Sequence, residues 1–367
     1  MHIGQIGLLS FRSIKILNFE PNANLNFITG ANNAGKTSLL ESIYVCSCSK
    51  SFKNIDLDNL IDYSSQSSKI SVKCSNNTSN DVIIYEKSLK SAKKVLINEK
   101  KSSIKESMLL LPVIALNFGN QNIFTQKSEA RRALLDWGVF HVKQDYHNLL
   151  KQFNKTLISR NKVLKTKDRD QISLWSEKFT EIAHIIHSYR QSYFEQLNDA
   201  FVNILTNNTD LATILYNDIL KTKMTYKKGW DGSLEDSLTR SLSKDIACGY
   251  TSCGPHRADF VASTDKGNIS DLASMSTQVV LNFCITLAQS DAFHVKHNHK
   301  PVLLIDDLFF GIDDKNLGVV IKLLNESELQ CFLSAPDSLI NRITGLKIKP
   351  KGSYYQMKNG ELMENKV

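Results

Sequence analysis

The sequence lacks any long apolar run, although 42% of its 367 residues are hydrophobic. The longest uninterrupted apolar stretch, Met108–Leu116, has nine residues and contains a proline. A membrane-spanning helix needs about 20 apolar residues, so none is predicted. The first residues also lack a basic region followed by an apolar run and a small-residue cleavage site, so we predict no secretory signal.

Cysteines with the spacing of a metal or redox motif are missing as well. The seven cysteines are scattered, and the closest two, Cys46 and Cys48, do not match C-x-x-C. Free, mostly buried thiols in a reducing cytoplasm are therefore expected. The chain also has no repeat of fixed period. Its length is too great for one ordinary core and indicates two domains.

The net charge of +8 is unevenly distributed. Residues 87–105 carry seven basic side chains and one acid, and residues 143–169 carry eight basic side chains and two acids. Clustered positive charge is typical of proteins that bind a polyanion such as nucleic acid. Either run alone is more often a solvated helix face or loop.

Hydrophobic patterning divides the chain into three parts. Strand patterns at 25–28, 69–73 and 81–85 surround a helix pattern at 37–44, with a turn expected at 75–80. From about residue 127 to 205 the pattern is helical, and after about residue 245 strands return, with buried strands expected at 301–305 and 331–334. A heptad seam indicates either a short helical arm or an ordinary bundle helix, and its members are Ile172, Trp175, Phe179, Ile182, Ile186, Tyr189 and Tyr193.

Residues 30–37, GANNAGKT, match G-x-x-x-x-G-K-[ST] at every fixed position. Such a loop turns tightly and directs backbone N–H groups at phosphate, while the lysine reaches the β- and γ-phosphates and the threonine binds Mg²⁺. A strand before the loop and a helix after it favour a true P-loop. The predicted phosphate-binding residues are Gly30, Ala31, Asn32, Asn33, Ala34, Gly35, Lys36, Thr37 and Ser38.

A second acidic motif follows an apolar strand at 303–307, LLIDD. We predict that the strand delivers Asp306 to the Mg²⁺ shell and that Asp307 orients or deprotonates the attacking water. The two motifs lie 306 − 36 = 270 residues apart, so both chain ends must fold into one sheet. The predicted fold is α/β: an ABC-type P-loop ATPase head from residues 1–115 and 246–367, with an inserted, mainly α-helical arm from 116–245.

Several further motifs, in the same order, resemble the bacterial RecF family of recombination and repair proteins, which are ABC-type, SMC-like ATPases. The resemblance covers most of the chain and rests on FR at 11–12, NF at 18–19, GANNAGKTSLLESIY at 30–44, KSFK at 50–53, RRALLDWG at 131–138, GPHRAD at 254–259 and DD at 306–307.

This resemblance implies a cytoplasmic protein that binds ATP, Mg²⁺ and DNA without sequence preference. It implies an ATP-dependent homodimer that clamps double-stranded or gapped DNA, helps load recombinase and hydrolyses ATP slowly. It further implies recombination mediators of the RecO/RecR type as partners. By the same resemblance Ser274 acts on the nucleotide of the other subunit, Asp313 is the D-loop aspartate and Ser334 lies in the switch region.

The chain departs from the family pattern at the signature segment, normally Ser-x-Gly-Gln. Here Ser274 is kept and Ser276 replaces the glycine, while the glutamine is either displaced by one position, to Gln278, or lost. Asn33 stands where a P-loop glycine is customary, which is a mild change if the position needs positive φ. These departures leave two hypotheses: a DNA-stimulated ATPase clamp, or an ATP-binding DNA scaffold that scarcely hydrolyses ATP.

Local sequence context suggests roles for several other side chains. Lys50 and Lys53 flank an aromatic residue, a pattern of nucleic-acid contact and also of lysines packed over a ring. Predicted phosphate contacts in the second basic run are Lys151, Lys155, Arg160 and Lys162. His294, His297 and His299 are expected in an exposed loop rather than a metal site. His256 is either a phosphate contact or a hydrogen-bonded turn residue.

Overall fold

The computed structural model describes residues 1–75, 80–117, 122–307, 311–346, 348 and 350–365. The strands are β1 (His2–Phe11), β2 (Ile14–Phe19), β3 (Leu25–Thr29), β4 (Ser67–Ser75), β5 (Asn80–Ser88), β6 (Lys94–Ile97), β7 (Lys100–Lys101), β8 (Val113–Asn117), β9 (Lys223–Lys227), β10 (Asp259–Thr264), β11 (Gly267–Asn268), β12 (Val302–Asp306), β13 (Cys331–Ala335), β14 (Gly352–Lys358) and β15 (Glu361–Asn365).

The helices are α1 (Lys36–Cys48), α2 (Ile104–Leu110), α3 (Ser128–Val142), α4 (Tyr146–Thr166), α5 (Arg169–Asn207), α6 (Thr209–Ile214), α7 (Asn217–Leu220), α8 (Leu234–Cys248), α9 (Ile269–Leu272), α10 (Met275–His297), α11 (Asp314–Glu326) and α12 (Ser338–Gly345). In the described residues no helix has both the length and the apolar character to cross a membrane. All seven cysteines are free, and four of them are buried.

The chain divides into two units. The first contains residues 1–122, 275–286 and 297–367, so both ends of the chain contribute to it. The second contains residues 123–274 and 287–296. The second unit therefore starts later than the predicted arm and extends beyond residue 245, because β10 pairs antiparallel with β9.

The first unit has two six-stranded sheets. One is antiparallel in the order β2-β1-β4-β5-β6-β7, and the other has the order β15-β14-β3-β13-β12-β8. In the second sheet β14, β3, β13, β12 and β8 run parallel. The strands expected at 25–28, 301–305 and 331–334 are β3, β12 and β13, and each is buried along its whole length. Residues 76–79, within the expected turn at 75–80, lie outside the described residues.

Helix α1 connects the two sheets of the first unit. Its apolar side chains, including Leu39, Leu40 and Ile43, are fully buried in a core shared with residues of β1, β4 and β5. The helix is buried on nearly all sides, which explains why its sequence is apolar with little amphipathic character. Burial of this kind fixes the start of α1 against the end of β3.

The second unit is built around α5, a helix of 39 residues. The predicted heptad seam is confirmed as its buried face, since Ile172, Phe179, Ile186 and Tyr193 are all buried. Helix α5 packs against α3, α4, α8 and β9 in this unit, so the seam serves as the core of a helix bundle. The bundle carries a small sheet in the order β11-β10-β9, which the helical pattern of the region did not predict.

Candidate nucleotide-binding site

The loop between β3 and α1 has the backbone conformation that its sequence predicts. Gly30 and Gly35 have φ of 148° and 112°, and a Cβ on Gly30 would lie 2.3 Å from the carbonyl oxygen of Met357. Asn33 has φ of 64°, so asparagine at this position adopts the left-handed conformation that it tolerates well. Gly35 caps α1 without a side-chain hydrogen bond, so no side chain of its own occupies the helix N-terminus.

Lys36 folds back over this loop. Its side-chain Nζ donates hydrogen bonds to the carbonyl oxygens of Gly30 at 2.7 Å and Ala31 at 2.8 Å. Burial lowers the pKa of Lys36, and the carboxylates of Asp307, Asp337 and Asp306 oppose that shift. The ammonium group therefore lies inside the loop, where successive N–H groups and a helix terminus favour an anion.

Asp306 connects the two ends of the chain. It is 1% exposed, and its Oδ1 accepts hydrogen bonds from Thr37 Oγ1 at 2.9 Å and Ser334 Oγ at 2.6 Å. Asn117 Nδ2 donates to the other carboxylate oxygen at 3.3 Å. The parallel order β3-β13-β12-β8 brings these groups together, because the carboxyl ends of all four strands lie at one sheet edge.

Asp307 follows Asp306 with φ of 56°, an uncommon conformation outside glycine that aspartate tolerates better than most residues. Its N–H donates to Ser334 Oγ at 3.1 Å. Burial raises the pKa of Asp307 and so does the neighbouring Asp306, whereas Lys53 and Lys36 lower it. A carboxylate with a raised pKa is a better proton acceptor than an exposed one.

These groups surround a polar cavity of 730 Å³. Its lining includes the loop residues 32–38 and Asp307, together with Arg12, Lys53 and Tyr63. The volume lies within the range of small-molecule sites, which is roughly 300–1,000 Å³. A nucleotide has room in this cavity with its phosphates on the loop.

Sequence reasoning missed three residues of this site. Asn117 ends β8 beside Asp306, and Arg12 lines the cavity while its Nε pairs with buried Glu41 at 2.5 Å. Lys53 was assigned to DNA, but it lines the cavity with its Nζ 3.8 Å from Asp306 Oδ2. The sequence motifs around Arg12 and Lys53 were visible, yet nothing local to them indicates the sheet edge to which they belong.

The model of the RecF/RecN/SMC N-terminal domain family matches residues 2–340. The chain belongs to this family. It is 27% identical to the DNA replication and repair protein RecF of Nitrosococcus oceani over 372 aligned positions, covering 99% of each chain. It is 29% identical to the protein of the same name from Pseudoalteromonas translucida, covering 99% of this chain and all of that one.

Solved structures show the same fold. The recombination mediator protein RecF-ATP of the RecFOR pathway superposes with a TM-score of 0.82 at 22% identity, covering 100% of this chain and 98% of that one. The Smc head domain of Pyrococcus furiosus superposes with a TM-score of 0.56 at 14% identity, covering 100% of this chain and 96% of that one. The predicted resemblance to RecF and the ABC-type ATPase fold, with its head formed by both chain ends, are thereby confirmed.

The signature segment of this family member contains a contact that its sequence did not predict. Asn316 Nδ2 donates to Ser276 Oγ at 2.6 Å, and Ser276 Oγ donates to Asp313 Oδ2 at 2.8 Å. Gln278 is buried and accepts a hydrogen bond from Asn122 at 2.5 Å. Ser276 thus ties the signature segment to the N-cap of α11 within one chain. Phe310, three residues before Asp313 in the same turn, lies outside the described residues.

Neither Ser274 nor Asp313 is among the residues that line the 730 Å³ cavity in the described part of the chain. Ser274 belongs to the second unit and directly precedes α10. Asp313 caps α11 by accepting the N–H of Asn316 at 2.9 Å. Their roles toward a second subunit remain predictions.

The predicted DNA contacts separate into two kinds. Lys50, Lys151, Lys155 and Lys162 are exposed, so they stay candidates. Arg160 is fully buried, and the assignment of this residue to DNA was wrong. Its Nη1 donates to Thr251 Oγ1 at 2.6 Å and pairs with Asp245 at 3.3 Å, which makes it a structural residue of the second unit.

Two of the histidines expected in a loop lie in a helix. His294 and His297 lie in α10 rather than in a loop, and the described residues contain no group of three metal-ligating side chains. The Nε2 of His256 is 2.9 Å from the carbonyl oxygen of Thr251, and burial lowers the pKa of His256 to about 4. His256 is therefore a neutral, hydrogen-bonded residue of the turn, as the second of its two interpretations predicted.

Proposed function

We propose that this protein is an ATP-dependent DNA-binding protein of recombinational repair and replication restart. In this proposal ATP drives two copies to close as a clamp around double-stranded or gapped DNA. The clamp helps load recombinase there, and it hydrolyses ATP slowly with stimulation by DNA. The hydrogen bond between Thr37 and Asp306 supports it best, because it joins groups 269 positions apart beside the P-loop lysine.

The residues present fit Mg²⁺ and ATP. The Thr37 hydroxyl and the Asp306 carboxylate lie together at 2.9 Å, and such oxygens are preferred ligands of Mg²⁺. When bound, the ion neutralises phosphate charge during transfer. Lys36 would exchange its carbonyl partners for phosphate oxygens, and the N-terminus of α1 would add backbone N–H donors.

Two further side chains complete the proposed chemistry. Asp307 would accept the proton of the attacking water, since its pKa is raised by burial and by Asp306. Lys53 lines the cavity and would bind the same phosphates as Lys36, which replaces the DNA contact predicted for it. Asn117 and Ser334 hold Asp306 in place through their hydrogen bonds.

DNA and mediator proteins are the proposed partners. The exposed Lys50, Lys151, Lys155 and Lys162 would bind DNA phosphates without reading sequence. Membership of the RecFOR pathway by a structural relative supports mediators of the RecO/RecR type as partners. A cytoplasmic location is part of the same proposal.

A second candidate function has its own observation. Ser276 stands where the family signature has glycine, and its hydroxyl is bound to Asp313 and Asn316. A serine held in this way favours an ATP-binding DNA scaffold with little or no hydrolysis. In that case Ser276→Gly combined with Thr277→Gln would raise the rate of phosphate release, whereas a high rate in the unchanged protein would exclude the scaffold.

The substitution Lys36→Ala tests the main proposal. We expect it to weaken ATP binding by at least about a hundredfold, roughly 3 kcal/mol, and to abolish ATP-dependent dimer formation. Equilibrium binding of a fluorescent ATP analogue and light scattering would measure these effects, with Lys50→Ala as the control. Unchanged ATP-dependent dimerisation in Lys36→Ala would exclude the proposed ATP clamp.

A further inference from the structure

The second unit contains a cavity of 1130 Å³ that no motif predicted. Its walls come from α5, from β9 and the loop after it, from α8, and from Ser252, Cys253, Arg257 and Asp259. Six of its lining residues, His187, Tyr226, Lys227, Lys228, Arg240 and Arg257, define what we call the arm cavity. The volume exceeds that of most small-molecule pockets, so more than one group of an extended ligand can enter.

Positive charge in the arm cavity is only partly offset by carboxylates at its wall. In the described part of the chain, none of its four cationic side chains forms an ion pair. Of the three carboxylates at its wall, Asp259 is engaged by Arg131 through two contacts of 2.5 and 3.0 Å, which leaves Glu195 and Asp231. The cavity therefore favours an anion, and its two arginines match phosphate geometry.

Arg240 is held in position without losing its charge. Its Nη2 donates to the carbonyl oxygen of Asp231 and to Ser237 Oγ, both at 3.2 Å. Lys228 Nζ lies 5.3 Å from the ring of Trp230 and donates to the carbonyl oxygen of Gly232 at 2.6 Å. Neutral partners of this kind orient cations while leaving them available for a charged ligand.

Aromatic rings form another part of the same wall. The rings of His187 and Tyr226 are parallel within 8° at a centroid distance of 5.8 Å, and the rings of His187 and Trp230 are T-shaped at a centroid distance of 5.0 Å. The Nδ1 of His187 is buried and has no hydrogen-bond partner among the described residues. Because solvent does not reach this nitrogen, the wall offers a nucleobase the surfaces of its rings rather than a hydrogen bond.

We propose that the arm cavity binds an unpaired nucleotide of single-stranded DNA. Arg240 and Arg257 hold its phosphates, and the base lies against the wall of His187 and Tyr226. A duplex does not fit this description, because its bases are stacked on one another and present only phosphates and groove edges. The inference rests on the proposed function in one respect, which is that DNA is the natural ligand.

Charge reversal inside the arm cavity tests the proposal. Lys227→Glu with Arg240→Glu changes two exposed residues, and Lys223→Glu changes an exposed lysine of the same strand that does not line the cavity. We expect the double variant to bind a labelled oligothymidine at least about tenfold more weakly, with a salt slope reduced by about 0.7 per lost phosphate contact. Lys223→Glu should retain nearly all of its affinity.

A second measurement uses the unmodified protein, so it does not depend on the folding of a variant. An oligonucleotide with 5-iodouracil is cross-linked by light, and the modified peptides are identified by mass spectrometry. We expect cross-links to His187 or to the segment from Tyr226 to Trp230. Cross-links confined to other segments would overturn the proposal.

The outcomes separate this inference from the proposed function. Loss of oligothymidine binding with unchanged binding of blunt duplex and of ATP supports the arm cavity as a single-strand site. Equal affinity in the double variant and in Lys223→Glu overturns it, and so does preferential binding of an acidic peptide over oligothymidine. If the unchanged protein binds neither single strand nor duplex, the proposed DNA-binding function itself is wrong.

Discussion

Asp306 of the first unit and Arg190 of the second hold their buried charges in different ways. In the first unit Asp306 is 1% exposed, accepts hydrogen bonds from neutral hydroxyls, and has a long ion pair of 3.8 Å with Lys53. In the second unit Arg190 is 3% exposed and donates to both carboxylate oxygens of Asp136, at 2.7 and 2.9 Å. A buried carboxylate without a close cation is suited to receive one, whereas a closely paired guanidinium belongs to the scaffold.

The family motifs of the two units show the same contrast in their contacts. The P-loop and the DD pair at 306–307 meet in the first unit at Asp306, whose negative charge is only partly balanced by Lys53. In the second unit RRALLDWG and GPHRAD meet through the pair between Arg131 and Asp259, and Arg190 Nη1 donates to the carbonyl oxygen of Pro255 at 2.6 Å. These contacts of the second-unit motifs therefore stabilise its fold, whereas the first-unit motifs surround the proposed nucleotide site.

The largest effect that would sharpen this contrast is expected at Asp307. Asp307→Asn removes the proposed proton acceptor but keeps the shape of the side chain. The rate of phosphate release should fall by about a hundredfold to ten-thousandfold, while ATP affinity stays close to that of the unchanged protein. Single-turnover hydrolysis and ATP titration would measure the two quantities, and a rate within twofold of normal would contradict the assigned role.

Arg160 provides the complementary test in the second unit. Arg160→Ala leaves Asp245 buried without its cation, so the free energy of unfolding should fall by about 3–5 kcal/mol. Chemical denaturation would measure this loss, and Lys162→Ala, an exposed change on the same helix, would serve as control. A stable Arg160→Ala protein with weakened DNA binding would restore the original assignment of this residue to DNA.

Acid should destabilise the second unit through His256. Its pKa lies near 4 in the folded protein against 6.5 as its ordinary value, so the unfolded chain takes up a proton first as pH falls. The stabilising contribution is present above pH 6.5 and disappears as pH falls toward 4, a change of about 3 kcal/mol. Unfolding of His256→Asn should depend less on pH over this window. The exposed change His2→Asn should behave like the unchanged protein, and identical pH profiles for all three would contradict the burial argument.

A smaller effect is expected at Lys53. Because Lys53 lines the nucleotide cavity, Lys53→Ala should weaken ATP binding by about tenfold, or about 1.4 kcal/mol, with less effect on DNA affinity. The neighbouring Lys50→Ala should show the reverse order of effects. If Lys53→Ala weakened only DNA binding, Lys53 would make no contribution to ATP binding, and its place in the nucleotide site would be wrong.

The local sequence pattern correctly predicted those elements whose consecutive residues are all buried or all belong to one motif. The P-loop, β3, β12 and β13 each combine a short motif or apolar run with a clear boundary, and all were found. The small sheet of the second unit was missed, since β9 is a short KMTYK segment stabilised by pairing with β10, more than thirty positions away.

Burial within a charged run could not be predicted for a similar reason. Arg160 and Lys162 are two positions apart in the same basic run, yet one is fully buried and the other exposed. What separates them is Asp245, 85 positions from Arg160 in sequence. Lys53 shows the same limit, because its position beside Asp306 depends on strand order rather than on neighbouring residues.

The central claim is that the charge gathered around Asp306 serves an ATP-driven clamp. The most direct test is the mass of the protein in solution with Mg²⁺, ATP and duplex DNA, recorded beside the rate of phosphate release. The account predicts a dimer that forms only with ATP and decays as phosphate appears. A monomer that binds ATP and DNA without dimerising or releasing phosphate would contradict it.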